Sequence, residues 1–237
     1  MKKLGIVGGL GPMATVYFME LITDMTQADV DQEHIEIFMH SRPQIPDRTK
    51  FILGESNENP LPMILEACDG LIKSGADVIA IPCITAHYFH DDLMKLEKPF
   101  VNSLVETATY LKDRGITKAG LMATDGTVRS GLFQKVLNEY GIECITPSIE
   151  GQKKVMSLIY DNVKAGRAID TESFRDVKYE LRHEGAQVVL LGCTELSIIK
   201  RDADVGPGVL DVLEVLAKTS VEMCATLKDK YKELITE

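Results

Sequence analysis

The sequence predicts an α/β protein made of two duplicated halves, each with a mostly parallel sheet flanked by helices. The first observation is a repeat, because residues 75–83 (GADVIAIPC) resemble residues 185–193 (GAQVVLLGC), 110 residues further on. In both copies a continuous apolar run follows Gly-Ala, which is typical of a strand buried on both faces of a parallel sheet. Strand-like and helix-like segments also alternate along both halves, which predicts right-handed crossovers with helices on both faces.

Four strands are predicted in each half, in the order strand, helix, strand, helix, strand, helix, strand. The repeated segments that predict them are 4–7 with 119–122, 35–38 with 142–145, 75–83 with 185–193, and 99–102 with 208–211. A Gly-rich turn at residues 8–12 follows the first strand, and residues 123–126 form its counterpart in the second half.

Apolar residues at helical spacing predict the helices between these strands. The predicted core-facing positions are Val16, Met19, Ile22 and Met25 in the first half, and Leu132, Val136 and Leu137 in the second. A final helix is predicted over about 210–233, and we expect it to return to the first half.

The boundary between the halves is predicted near residue 100. This gives a first domain of residues 1–100 plus 210–237 and a second domain of residues 101–209. No low-complexity linker separates them, which favours a tight cleft between two domains in contact.

Composition and charge exclude several classes of protein. An apolar content of 45% with 26% charged residues is typical of a globular protein, and no apolar run is long enough to span a membrane. A net charge of −10 disfavours nucleic acid or an anionic membrane surface as a partner. Five cysteines without a CxxC motif indicate free thiols, and we therefore expect a soluble protein in the cytoplasm.

Two of the cysteines, Cys83 and Cys193, end equivalent strands of the two halves. In open α/β sheets ligands bind beyond the carboxyl ends of the strands, so both thiols are expected to point into the cleft from opposite sides. Inverting a carbon acid needs a base on one face and an acid on the other, and a thiolate and a thiol suit these roles. Thr85 and Thr194 are predicted to cap the helices that follow.

Three motifs resemble the aspartate/glutamate racemase family over essentially the whole chain. They are residues 8–15 (GGLGPMAT), 81–87 (IPCITAH) and 191–196 (LGCTEL), and Glu195 after Cys-Thr resembles the aspartate racemase branch. The resemblance implies two pseudo-symmetric α/β domains, commonly a homodimer, and racemisation without pyridoxal phosphate, metal or another cofactor. It implies a small acidic amino acid as the substrate, aspartate before glutamate.

The resemblance also implies roles for individual residues. Cys83 and Cys193 would be the acid/base catalysts, one for each enantiomer. Thr85 and Thr194 would bind the α-carboxylate and ammonium, and Glu195 would assist the second cysteine or bind the ammonium. Thr124 in the second Gly-rich turn is a further candidate, and Arg48 and Lys164 would bind the side-chain carboxylate.

Ile84 departs from the family pattern, which usually has Asn directly after the first cysteine. An apolar side chain cannot donate a hydrogen bond to the α-carboxylate, so this position is expected to weaken turnover of acidic amino acids or to change the substrate. His87 is expected either to line the site or to make only local hydrogen bonds.

Other functions stay open at this point. Residues 9–14 fit a G-x-G-x-x-A dinucleotide fingerprint, but the second strand lacks the acidic residue that binds the ribose. A metal site of Cys83, His87 and Cys193 would have only three ligands and matches no zinc spacing. A non-catalytic ligand-binding homologue, or an isomerase of the maleate or hydantoin type, also remains possible within the same superfamily.

Overall fold

The structure is a computed structural model that describes residues 1–237, and it contains two parallel sheets surrounded by helices. The first sheet has the strand order β2-β1-β3, and its strands are β1 (Leu4–Gly8), β2 (Ile37–Ser41) and β3 (Val78–Ala80). The second sheet has the order β5-β4-β6-β7, and its strands are β4 (Lys118–Met122), β5 (Glu143–Ile145), β6 (Val188–Leu191) and β7 (Val209–Asp211). The predicted α/β fold with two parallel sheets is therefore confirmed.

The helices fill the connections between the strands. Those of the first half are α1 (Pro12–Met25), α2 (Arg48–Ile52), α3 (Leu61–Lys73) and α4 (His90–Leu93). Those that follow are α5 (Ser103–Asp113), α6 (Asp125–Ser130), α7 (Leu132–Glu139), α8 (Ile149–Ser157), α9 (Thr171–His183), α10 (Thr194–Asp202) and α11 (Val212–Cys224). Short 3₁₀ turns cover Asp31–Glu33, Ile84–Phe89 and Asp229–Tyr231, and a π-helix covers Leu158–Lys164. No helix combines the length and apolar character that crossing a bilayer requires.

The fourth predicted strand of the first half is reduced to one parallel bridge between Ile79 and Phe100. Pro99 has no N–H to donate to a neighbouring strand, and Asn102 already caps α5 with its side chain. The equivalent strand of the second half, β7, pairs with β6 through three residues. The two sheets therefore share one strand order, but only the second sheet has a regular fourth strand.

Two predicted helix features are wrong. Val16 is 59% exposed, because positions spaced by three residues drift around a helix with 3.6 residues per turn; Phe18 and Leu21 share the buried face with Ile22. The last helix ends at Cys224 rather than near 233, since the chain then turns to extended backbone and forms an antiparallel bridge from Leu227 to Thr26.

Three apolar clusters hold the fold together. The largest has 36 buried residues and joins both halves, with α1, α5 and α11 packed on one another between the sheets. Each half also has a cluster of 15 buried residues on the outer side of its sheet, and Cys83 belongs to one and Cys193 to the other. Because α11 packs on α1, it connects the second half to the first. The division near residue 100 stays a prediction.

A buried carboxylate, Asp211, stands behind the helix that follows Cys193. Its Oδ1 atom accepts hydrogen bonds from Ser197 Oγ at 2.7 Å and from the backbone of Leu213, whereas its Oδ2 atom has no partner. Burial and the nearby carboxylate of Glu214 raise the pKa of Asp211 from 3.8 to about 7, although Lys200 opposes them. The native state therefore binds this proton more tightly than the unfolded chain does.

The raised pKa predicts a pH dependence of stability. The contribution of Asp211 to the free energy of unfolding is full below pH 3.8 and is lost as the pH rises through about 7. We measure the free energy of unfolding with urea at several pH values. Between about pH 5 and about pH 8, we expect it to fall less for Asp211→Asn than for the wild type. The exposed variant Asp113→Asn should keep the wild-type profile, and an unchanged profile in Asp211→Asn would contradict the assignment.

Candidate active site at the carboxyl ends of the strands

The two predicted catalytic cysteines and the seven predicted substrate-binding residues all line one small cavity between the two sheets. Its volume is about 10 Å³, which is room for about one water molecule. Four further residues line it that the sequence analysis did not select. The thirteen lining residues are Leu10, Asp47, Arg48, Thr49, Cys83, Ile84, Thr85, Thr124, Tyr160, Lys164, Cys193, Thr194 and Glu195.

Cys83 reaches the cavity because it follows β3 and directly precedes the 3₁₀ turn Ile84–Phe89. It is 5% exposed. The guanidinium of Arg48 lies beside it. Burial acts against the charged guanidinium, but its electrostatic interaction with Cys83, and smaller ones with Asp47 and Glu195, outweigh burial, so the pKa of Arg48 is raised. The positive charge of Arg48 can therefore stabilise a thiolate on Cys83.

Arg48 is held in place by the backbone. Its Nη1 atom donates to the carbonyls of Ile45 at 3.2 Å and Pro46 at 3.0 Å, and its Nη2 atom donates to Leu10 at 3.1 Å. These bonds tie the first Gly-rich turn to the loop before α2. Most donors of Arg48 are thus committed to the protein.

Cys193 occupies the equivalent position after β6, where α10 begins, and it is also 5% exposed. Its Sγ atom donates a hydrogen bond to Glu195 Oε2 at 2.9 Å. Burial first, and the Glu195 carboxylate next, raise the pKa of Cys193 well above its ordinary value, with Lys164 opposing. Cys193 is therefore a thiol in this structure, whereas Cys83 faces a cation.

Lys164 and Tyr160 come from the π-helix, a helix type that often occurs at functional sites. The Nζ atom of Lys164 lies 3.8 Å from Glu195 Oε1 and 4.2 Å from the centre of the Tyr160 ring. Burial lowers the pKa of Lys164, but Glu195 and Cys193 outweigh it and the pKa is raised. The lysine is therefore charged.

Four threonine hydroxyls form the floor of the site. Thr85, Thr124 and Thr127 bond one another at 3.1 to 3.2 Å, and Thr49 donates to Thr124 at 3.3 Å. Thr49 and Thr85 belong to the first half, and the other two belong to the second. This network provides hydroxyls for a carboxylate and joins the two halves.

The predicted caps are wrong at two positions. Cys83 and Cys193 are themselves the N-cap residues, and neither Thr85 nor Thr194 makes a capping hydrogen bond. The hydroxyl of Thr85 bonds the other threonines, and that of Thr194 points to Glu195 Oε2 at 3.4 Å. Thr124 does cap α6, since it accepts from the backbone of Thr127.

His87 lies in the interior beneath the cavity, not in its wall. It is fully buried, with Nδ1 at 3.1 Å from the carbonyl of Cys83 and Nε2 at 3.0 Å from Ser103 Oγ. Burial lowers its pKa to about 4, so the ring is neutral. Of the two roles left open, local hydrogen bonding is the one observed, and no cluster of three or more His, Cys, Asp or Glu side chains suited to a metal is found.

A wider cavity of about 540 Å³ opens beside the small one and shares Leu10, Asp47, Arg48, Lys164 and Glu195 with it. The first Gly-rich turn forms one wall. A Cβ atom on Gly11 would lie 2.8 Å from Glu195 Oε1, so the glycine makes room for this carboxylate. The turn that resembles a dinucleotide fingerprint therefore packs against the residue that holds Cys193.

Gly126 allows the two halves to approach each other at the site. A Cβ atom there would lie 2.9 Å from the Cα atom of Thr49, which is backbone and cannot rotate away. We expect Gly126→Ala to separate α2 from α6 and to lower turnover about tenfold, although alanine favours a helix. The matched control is Gly70→Ala, whose Cβ would meet only the ring of His40 in the first half. Equal activity of both variants in a turnover assay would contradict this expectation.

The chain is similar in sequence to known proteins of one family. Residues 7–219 match the sequence model of the family described as Asp/Glu/Hydantoin racemase. The chain is 27% identical over 225 residues to the broad specificity amino-acid racemase RacX of Bacillus subtilis (strain 168), which covers 92% of this chain and 96% of that protein.

Two solved structures are similar over nearly the whole chain. The Picrophilus torridus aspartate racemase superimposes with a TM-score of 0.82 and 31% identity, and 98% of each chain is covered. PH1733, an aspartate racemase homologue from Pyrococcus horikoshii OT3, has a TM-score of 0.75 and 27% identity, covering 94% of this chain and 99% of that one.

Proposed function

The chain belongs to the Asp/Glu/hydantoin racemase family and is an isomerase, and we propose that it interconverts L- and D-aspartate, or less readily glutamate, with two cysteines and no cofactor. The observation that carries this proposal is that Cys83 and Cys193, at equivalent strand ends of the two halves, line the same cavity. Facing acid/base groups are what inversion of a carbon acid requires.

The two sulfurs would share one proton. In one form, a Cys83 thiolate beside Arg48 removes the proton from Cα, and the Cys193 thiol donates its proton to the opposite face. This leaves a Cys83 thiol and a Cys193 thiolate, which catalyse the reverse reaction. Each enantiomer thus meets its own base.

The intermediate carries its new negative charge on the α-carboxylate. The threonine hydroxyls, in particular Thr85, Thr124 and Thr194, line the cavity where this group would bind. Donors that are already oriented in a site with little water stabilise such charge strongly. We assign them this role.

Lys164 is the better candidate for the side-chain carboxylate of the substrate. It lines both the small cavity and its mouth, and its side chain is 31% exposed. Arg48 was expected to share this role, but its bonds to three backbone carbonyls and its place beside Cys83 favour stabilisation of the thiolate instead.

The cavity must open before a substrate enters, since about 10 Å³ cannot hold an amino acid. The wider cavity shares five lining residues with it, and Thr49, Thr85 and Thr124 of the threonine network line the small cavity itself. We infer that the two halves separate to admit the substrate and close around it, which excludes water from the reacting carbon.

Ile84 is 3% exposed and lines the cavity while also packing into the shared core. We expect Ile84→Asn to raise kcat/KM for aspartate about tenfold, because an amide adds one hydrogen bond to a carboxylate. The folded protein should become less stable, since a polar group enters the core. Ile84→Val is the control, and no gain of asparagine over valine in racemisation kinetics would contradict this role.

The proposal is tested by incubating dialysed protein with L-aspartate and separating the enantiomers by chiral chromatography. We expect D-aspartate to accumulate to a racemic mixture without added pyridoxal phosphate or metal. Turnover of maleate or a hydantoin instead would favour the other isomerases of the superfamily. Ligand binding without turnover would favour a non-catalytic homologue.

We also propose a homodimer and a cytoplasmic location. The resemblance supports the first, and the five unpaired cysteines support the second. Light scattering of the purified protein tests the dimer.

A further inference from the structure

We propose that the side-chain carboxylate of the substrate activates Cys193 by taking Lys164 away from Glu195. This inference rests on the proposed racemase function and concerns the same site. It gives the second carboxylate of the substrate a catalytic effect in addition to its effect on binding.

The two oxygens of Glu195 have different partners. Oε2 accepts the hydrogen bond from Cys193 Sγ at 2.9 Å, whereas Oε1 faces Lys164 Nζ at 3.8 Å. The carboxylate is 7% exposed and is confined by Gly11, so it cannot leave the sulfur to follow the lysine. Glu195 is thus shared between one proton donor and one cation.

The contact between Lys164 and Glu195 is easy to exchange. At 3.8 Å the two charges attract each other without a hydrogen bond, so a carboxylate that enters from the mouth can make a shorter contact to the same ammonium. Lys164 is also exposed to the mouth, whereas Glu195 is almost fully buried. The lysine can therefore change partners while Glu195 stays beside Cys193.

Loss of its cation changes what Glu195 does to Cys193. The ammonium of Lys164 lies 3.8 Å from Glu195 Oε1, and it interacts with Glu195 more strongly than with Cys193. When the substrate takes this ammonium, negative charge on Glu195 loses more stabilisation than negative charge on Cys193 does, which favours moving the shared proton from the sulfur to the carboxylate. The nearest proton is that of Cys193. Its transfer from Sγ to Oε2 leaves a thiolate and a neutral carboxylic acid, and the net charge of the pair does not change. The thiolate then removes the Cα proton and becomes a thiol again, while a Cys83 thiol donates its proton to the opposite face. When the product leaves and Lys164 returns to Glu195, the carboxylic acid releases its proton to solvent and the Cys83 thiolate takes one from solvent.

The experiment divides aspartate into two pieces. Each enantiomer of alanine in turn supplies the amino acid, since Cys193 is the base for only one of them, and formate supplies the carboxylate. Together they resemble aspartate without its Cβ–Cγ bond. We expect formate to accelerate the exchange of the alanine Cα proton with deuterium oxide about tenfold or more, with saturation. Chloride at the same ionic strength and neutral formamide are the control additives.

Variants test whether formate acts through the ammonium of Lys164. Lys164→Met should lose the acceleration by formate, and its kcat for aspartate should fall together with a rise in KM. Lys153→Met is the matched control, because this exposed lysine on α8 pairs only with Glu150, and it should keep the acceleration. Glu195→Gln should also lose it, since an amide cannot take the proton.

The outcomes separate this inference from the proposed function. If the wild type racemises aspartate but formate does not accelerate alanine exchange, or Lys164→Met raises KM without lowering kcat, Lys164 only binds substrate and the inference is overturned. If aspartate and glutamate show no exchange at all, the proposed function itself fails.

Discussion

Cys83→Ser and Cys193→Ser are each expected to lose about 10³- to 10⁴-fold in racemisation, because a hydroxyl is a far weaker acid than a thiol and gives no usable base near neutral pH. Both sulfurs line the same cavity, and each faces a different partner, Arg48 or Glu195. The loss should occur in both directions of the reaction, since every turnover uses one cysteine as base and the other as acid.

Cys144→Ser is the matched control for this pair. Cys144 lies on β5, at the edge of the second sheet, and does not line the cavity. Racemisation should stay near the wild-type rate, and thermal unfolding should confirm that all three variants are folded. Full activity of Cys83→Ser or Cys193→Ser would contradict the assignment of the catalytic pair.

Arg48→Met is expected to lower kcat by about 10²-fold, with a smaller effect on KM for aspartate. The substitution removes the cation beside Cys83 and the bonds that hold the loop carbonyls of Leu10, Ile45 and Pro46. Arg48→Lys should recover part of kcat, because it restores the charge without the planar fork of donors.

Arg42→Met is the matched control for this substitution. Arg42 directly follows β2, pairs with Glu66 at 3.1 Å and does not line the small cavity. Its variant should keep kcat and KM. If Arg48→Met instead raises KM strongly and leaves kcat unchanged, Arg48 binds the side-chain carboxylate, as the sequence analysis first expected.

The positions of the two cysteines could be predicted from the sequence because they depend on local order along the chain. Cys83 and Cys193 follow apolar strands at equivalent points of a repeat, one in each sheet, and ligands bind beyond the carboxyl ends of such strands. Thr124, which follows β4, was named through the family resemblance and its place in the repeated Gly-rich turn. Arg48 and Lys164 came only from the family resemblance, since a charged residue in a loop or a helix has no pattern of its own.

The contacts within the site could not be predicted in this way. The bonds of Arg48 to backbone carbonyls and the bond of Thr49 to Thr124 depend on how the two halves meet. Tyr160 reaches the cavity because the chain continues from α8 as a π-helix, for which no sequence signal was recognised. The predictions of helix faces and helix ends were wrong for local reasons. Val16, for example, was assigned to the core from a three-residue spacing, but this spacing places it off the buried face of α1.

The most direct test is the position of deuterium after the first turnovers of L-aspartate in deuterium oxide, measured by NMR and mass spectrometry. Because one cysteine removes the Cα proton and the other donates a solvent-derived one, the D-aspartate formed should carry deuterium at Cα while the remaining L-aspartate keeps protium. D-Aspartate that retains the original proton would mean that a single base serves both faces, and that result would contradict a pair of opposed cysteines.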